Sequence, residues 1–161
     1  MLAQGTSVAF AADRLCPALI AELMPLLQAH YHEVAHYPDI PLDPNWGMYA
    51  KIAENGNLRI YTARIDGVLV GYEAFFLSPS MHYRSATYAC EDVLFVEKNA
   101  RGARIGIGLM QFAHESLKAA GVTVVMHHTK SKEGLNLAPL YRRVGGMEHV
   151  DDIWAKRLDR E

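Results

Sequence analysis

The stretch Val96-Glu97-Lys98-Asn99-Ala100-Arg101-Gly102-Ala103-Arg104-Ile105-Gly106-Ile107-Gly108-Leu109-Met110 decides how the rest of the chain is read. An apolar strand enters a short polar turn, then a glycine-rich loop, then a helix with an apolar stripe of Ile105, Leu109, Phe112, Ala113 and Leu117. That order brings bare backbone N–H groups and the positive end of a helix dipole to one point, an arrangement that binds phosphate. A dinucleotide fingerprint would need G-x-G-x-x-G after the first strand of a βαβ unit, with an acidic residue about 20 positions on. Here Gly102, Gly106 and Gly108 lie mid-chain, behind an antiparallel hairpin. The Gly-Lys-Ser/Thr of a Walker A loop is absent.

Outward from this loop the elements alternate in kind. Upstream, Leu19, Leu23, Leu26 and Leu27 recur at helical spacing and predict a helix over Pro17 to Tyr37, with a kink at Pro25. Pro38, Pro41 and Pro44 form an extended loop, and a shorter helix follows from Asn45 to Glu54. Leu58 to Ile65 and Val68 to Leu77 read as strands joined by an Asp66-Gly67 hairpin turn, and Ser85 to Val96 reads as a third. Downstream, the Ile105 to Ala120 helix stops at Gly121. A strand over Val122 to His127, a helix over Leu137 to Val144 and a last strand over Ile153 to Leu158 complete the order, with a further short strand near Ser7 to Ala11.

The 161 residues suit one domain, 1–161, with no repeat or linker. A formal charge of −2 argues against a nucleic-acid partner. Residues 1–80 carry four Lys/Arg against eight Asp/Glu, and residues 81–161 carry twelve against ten, a division suited to a cationic substrate meeting an anionic cofactor. Two cysteines, Cys16 and Cys90, make no disulfide framework, and the N-terminal residues lack the basic start of a signal peptide, so a cytoplasmic location is expected. No apolar run approaches the 18 residues of a membrane span, so no membrane is expected.

Val96 followed by Arg101-Gly102-Ala103-Arg104-Ile105-Gly106, with Tyr141-Arg142-Arg143-Val144-Gly145-Gly146 near the C-terminus, resembles the GNAT (Gcn5-related N-acetyltransferase) superfamily. The likeness is to its small, phage-type members, and the element order from Pro17 onward agrees. It implies an α/β domain: a mixed, mostly antiparallel, twisted sheet with helices on both faces and splayed central strands. It implies transfer of an acetyl group from acetyl-CoA to a primary amine, by direct attack in a ternary complex without an acyl-enzyme, so Cys90 is no nucleophile. The pyrophosphate would rest on the amides of Arg101, Gly102, Ala103, Arg104, Ile105 and Gly106. The pantetheine arm would run along Leu94, Phe95 and Val96, with the thioester carbonyl at a backbone N–H near Phe95 or Val96. Two positions depart from the family: Arg104 replaces its first glycine and Gly146 replaces a Phe. A side chain disfavours glycine-only backbone angles, so ordinary helical dihedrals are expected at Arg104.

By the same resemblance Tyr141 is the general acid for the departing thiolate. The base lies on the strand before the loop. Adjacent strand residues face opposite sides, so one of Glu91 and Asp92 looks into the cleft. Family position selects Glu91, with Asp92 open if the strand bulges. His127 and His128 would cap the strand, contact substrate or relay a proton. The acceptor is a small-molecule or peptide amine, with Glu33 and Tyr37 in its pocket. Its identity, the acyl chain length and the oligomeric state stay open, although dimers are common among such proteins and a homodimer is compatible.

A rival motif is His32-Glu33-Val34-Ala35-His36. On a helix this spacing puts both imidazoles on one face, as in zinc hydrolases. Here Tyr37-Pro38-Asp39 follows, without a third ligand, and no metal is expected. Three readings therefore stand: an acetyltransferase, a CoA-binding module without catalysis, and a zinc hydrolase on His32 and His36.

Overall fold

In a computed structural model, residues 7–130 and 135–160 are described. Among these residues five strands form one sheet in the order β1-β2-β3-β4-β5: β1 (Val8–Asp13), β2 (Leu58–Ile65), β3 (Val68–Pro79), β4 (Thr87–Val96) and β5 (Val124–Met126). The first four pair antiparallel, and β5 lies parallel to β4. Four α-helices accompany them: α1 (Pro17–Val34), α2 (Trp46–Glu54), α3 (Ile105–Ala119) and α4 (Ala138–Val144). This is the mixed, mostly antiparallel sheet expected from the sequence.

Local chemistry explains the element ends. The Cys16 sulfur accepts from the Leu19 N–H at the start of α1, and Pro25 sits within the helix without ending it. The Asn45 side chain caps α2 by accepting from Met48 N–H. Asp66 and Gly67 both have positive φ, 50° and 84°, the geometry of a two-residue hairpin turn between β2 and β3.

Two cores lie on opposite faces of the sheet. Leu19, Leu23 and Leu26 of α1 pack on Leu58, Ile60, Tyr72 and Phe95. Ile105, Leu109, Ala113 and Leu117 of α3 pack on Tyr61, Ala63, Val70, Phe75 and Ala89. Helices therefore cover both faces, as expected.

Two features of β4 shape the site. Its register with β3 shifts between Ala74 and Phe75: Ala74 opposes Val93 and Phe75 opposes Glu91, so Asp92 is the extra residue of a bulge. Its pairing with β5 covers only Tyr88, Ala89 and Cys90. Among the described residues no strand pairs with the β5 side of β4 from Glu91 to Val96, and the sheet opens there into a wedge.

Three expectations need correction. The helix ends at Val34, not Tyr37, because Ala35 leaves helical geometry at its C-cap. No strand forms over 153–158; Ile153, Trp154 and Leu158 are exposed, and Arg157 and Arg160 instead reach Asp39. The segment makes ionic contacts with the α1–α2 connection and leaves its large apolar side chains exposed. Arg104, third, adopts φ 58° and ψ 18°, the left-handed conformation and not an ordinary helical one. Among the described residues, no helix is long and apolar enough to cross a membrane.

Candidate active site

The loop between β4 and α3 winds as a 3-10 turn over Lys98–Ala103, and Arg104 reverses it into α3. Gly102 and Ala103 lie in this turn. The first backbone bond of α3 runs from Gly108 N–H to Arg104 O, and no side chain caps the helix. The N–H groups of Ile105, Gly106 and Ile107 thus head the helix without intrahelical acceptors. A Cβ built on Gly106 would stand 3.8 Å from Leu140 and Val96, so packing does not require a glycine there. The bare backbone leaves room for a ligand to approach the amides, and an anionic group fits this corner.

Arg101 holds the turn in place. Its Nε donates to Val96 O at 2.8 Å, its two terminal nitrogens each reach a Glu33 carboxylate oxygen at 2.7 Å, and its plane lies 5.5 Å from the Phe95 ring. The Arg101 hydrogen bonds hold the Glu33 carboxyl below its usual range. Glu33 therefore ties α1 to the loop, and its charge is already matched.

Along the wedge the amides of β4 have a definite sense. Glu97 N–H donates to Val70 O on β3. Strand amides alternate sides, so those of Leu94 and Val96 point away from β3, into the wedge, and that of Phe95 points toward β3. The Phe95 side chain is buried against α1, 5.0 Å from the His30 ring.

The bulge separates the two acidic neighbours. Asp92 faces α2, where its Oδ2 accepts from the Tyr49 hydroxyl at 2.6 Å. Burial raises its pKa, partly offset by that bond. It lines a cavity of about 210 Å³ with His30, Trp46, Tyr49, Tyr72 and leucines of α1. A wider cleft of about 450 Å³ shares Leu27, Trp46 and Tyr49 with it and is also lined by Tyr31, Tyr37 and Asp43. Burial lowers the His30 imidazole to about 4, with Lys130 and Arg101 adding and Glu33 opposing, so the ring is neutral.

Glu91 turns to the α3 face. Its carboxylate meets His127 Nδ1, and His127 Nε2 lies 2.8 Å from His114 Nε2 on α3. Glu73 of β3 is wholly buried beside them, its Oε1 3.6 Å from His127 Nδ1, and burial together with Glu91 raises its pKa well above the usual range. Burial, then His127, lowers the His114 imidazole to about 4. The Tyr141 ring lies tilted against His127, centroids 5.4 Å apart, and its hydroxyl donates to His128 O at 2.5 Å. Burial, then Glu91 and Glu73, raises the Tyr141 pKa, so the phenol keeps its proton. His128 Nδ1 touches Glu91 O at 3.2 Å.

Sequence reasoning passed over His30, Tyr49, Tyr72, Glu73 and His114. Only Glu73 carried a usable signal: a lone carboxylate inside the apolar run Val68–Leu77. The His32-x-x-x-His36 spacing is not presented on one helix, since α1 ends before His36, which packs edge-on to Tyr37.

Residues 20–146 match a family model described as acetyltransferase (GNAT) family. A search of curated proteins finds no match. Solved structures share the fold at low identity. An aminoglycoside acetyltransferase from an uncultured soil metagenomic sample superposes with TM-score 0.73 at 18% identity, over 94% of this chain and 99% of that one. A second one from such a sample, in complex with sisomicin, gives 0.70 at 16%, over 94% and 96%. Ribosomal-protein-alanine N-acetyltransferase from Brucella melitensis biovar Abortus 2308 gives 0.69 at 17%, over 94% and 99%.

Proposed function

The chain belongs to the GNAT acetyltransferase family, and from that membership we propose that it transfers an acetyl group from acetyl-CoA to a primary amine by direct attack in a ternary complex. The observation that carries the reading is the uncapped start of α3, with its bare Gly106, opening on the wedge where β5 leaves β4. Acetyl-CoA supplies an activated thioester. The amides of Ile105, Gly106 and Ile107, with the Arg101–Arg104 turn, hold its diphosphate. The Leu94 and Val96 amides take the pantetheine arm as a further strand partner and face the carbonyl oxygen as charge builds on it.

Acceptor and donor enter from opposite faces of the sheet. Asp92, in an aromatic-lined cavity beneath α1 and α2, binds the ammonium and takes its proton as nitrogen attacks. Tyr141, on the α3 side, is protonated before the reaction and gives its proton to the departing sulfur. Glu91, the base favoured by family position, is turned toward His127 and away from the pocket. The acceptor is an amine cation: Asp92, Asp43 and Tyr37 line the two cavities, while Glu33 is matched by Arg101. Structures of the same fold that act on aminoglycosides lend support to that class.

The test is free-thiol release from acetyl-CoA over a panel of polyamines, aminoglycosides, amino acids, peptide N-termini and lysines. Release that depends on one amine class, with a mass gain of one acetyl group on that amine, is expected. Tight acetyl-CoA binding with no release from any amine would instead make the protein a CoA-binding module.

A further inference from the structure

We propose that Glu73, Glu91 and His127 form a binding site for one divalent transition-metal ion, buried between the sheet and α3. Three adjacent strands supply the donors: Glu73 from β3, Glu91 from β4, and His127 from the residue after β5. Carboxylate oxygens of both acids and an imidazole nitrogen lie within 4.8 Å of one another. The side chains are 0%, 6% and 1% exposed.

Hydrogen bonding alone does not account for this cluster. Both oxygens of Glu73 are buried without any hydrogen-bond partner. An ionised Glu73 there lacks a donor, and a protonated one lacks an acceptor for its O–H. Buried polar atoms without partners are rare, and a bound ion is one of their few explanations. A cation between the three groups satisfies Glu73 and separates the charges of two neighbouring carboxylates.

The imidazole is set up for ligation. A metal-bound histidine commonly donates its other ring N–H to a fixed acceptor. His127 Nε2 lies 2.8 Å from His114 Nε2, so one N–H links the rings and Nδ1 faces the two acids. The Phe75 ring, edge-on at 5.5 Å, fixes the imidazole plane. Donors around a tetrahedral ion with 2.0–2.2 Å bonds stand roughly 3.4 Å apart. Glu73 to His127, at 3.6 Å, already matches; Glu91 must draw back from its present hydrogen bond to reach the same spacing. One imidazole and two carboxylates suit a borderline ion such as Zn²⁺ or Mn²⁺. The site lies across the sheet from Asp92, and its existence does not depend on the acetyl-transfer reading.

Full-length protein is stripped with chelator, exposed to ZnSO₄, MnCl₂ or CoCl₂, desalted, and its metal content measured by plasma mass spectrometry. About one retained equivalent of one of these ions is expected, falling at least tenfold in Glu73→Gln and in His127→Gln but not in His36→Ala. Retention of no ion by the unmodified chain overturns the site, as does retention undiminished by Glu73→Gln or abolished by His36→Ala. If the buried variants do not fold, nitrogen NMR of the unmodified protein decides: zinc must shift the Nδ1 resonance of His127, and an unmoved resonance overturns the proposal.

Discussion

A methyl group added at Gly108 would stand 2.5 Å from the tip of the Phe10 ring, and at Gly106 it would meet nothing nearer than 3.8 Å. The two glycines therefore have different reasons to exist. Gly108 lets α3 close on β1, where Phe10 stacks on Phe112; Gly106 leaves the helix start approachable. Gly108→Ala should lower stability by about 1–3 kcal/mol through overpacking, with acetyl-CoA affinity unchanged. Gly106→Ala should leave the denaturation midpoint unchanged or raise it, since alanine is the better helix former, while acetyl-CoA affinity falls about tenfold. Denaturant titration and calorimetric binding on both variants check this; the opposite pairing would dissociate the phosphate corner from Gly106. The sequence showed two glycines in one helical turn and no means of separating them, because only the position of Phe10, almost a hundred residues upstream, does so. Arg104 was illegible for a similar reason. The left-handed conformation costs an ordinary residue about 1–2 kcal/mol, small enough for the surrounding turn to override.

At the scale of elements, the bulge in β4 decides which acid serves which face. Strand alternation correctly says that Glu91 and Asp92 part company, but a bulge is a property of the pair of strands and is invisible in either alone. The hairpin of β2 and β3, the β4-loop-α3 unit and the two-faced helix packing were legible, because each rests on local periodicity or turn chemistry. The supposed last strand was not, because Ile153, Trp154 and Leu158 stay exposed while Arg157 and the following Arg160 reach Asp39. Two variants test the division of labour. Tyr141→Phe should lower kcat by about 10²-fold or more with little change in the acetyl-CoA KM, the mark of a group acting in the transition state. Asp92→Asn should lower kcat and raise the KM for the amine, not for acetyl-CoA. Steady-state kinetics varying each substrate in turn read both; a Tyr141→Phe enzyme at full speed would remove its role as acid.

For the whole molecule, acid should act through imidazoles folded in their neutral form. His30 sits beneath α1 against Phe95, its folded pKa depressed to about 4 from an ordinary 6.5 by burial first, then by Lys130 and Arg101, with Glu33 opposing. A base whose pKa falls on folding binds its proton more readily when unfolded. Its neutral burial therefore favours the fold above pH 6.5, and that contribution is lost progressively as pH drops toward 4. A tenfold change in proton affinity is worth about 1.4 kcal/mol, so the loss across this window is on the order of 3 kcal/mol. Asp92 and Glu73, whose pKa values are raised, act in the opposite sense, so the total stability curve does not isolate His30. The difference between unmodified protein and His30→Gln does. Urea unfolding at pH 7, 6, 5 and 4.5 should show His30→Gln less stable at pH 7, with the gap narrowing steadily as pH falls. A gap that stays constant over this range would mean that His30 is not buried as a neutral ring, and that the cavity beside Asp92 is more open to water than its aromatic lining requires.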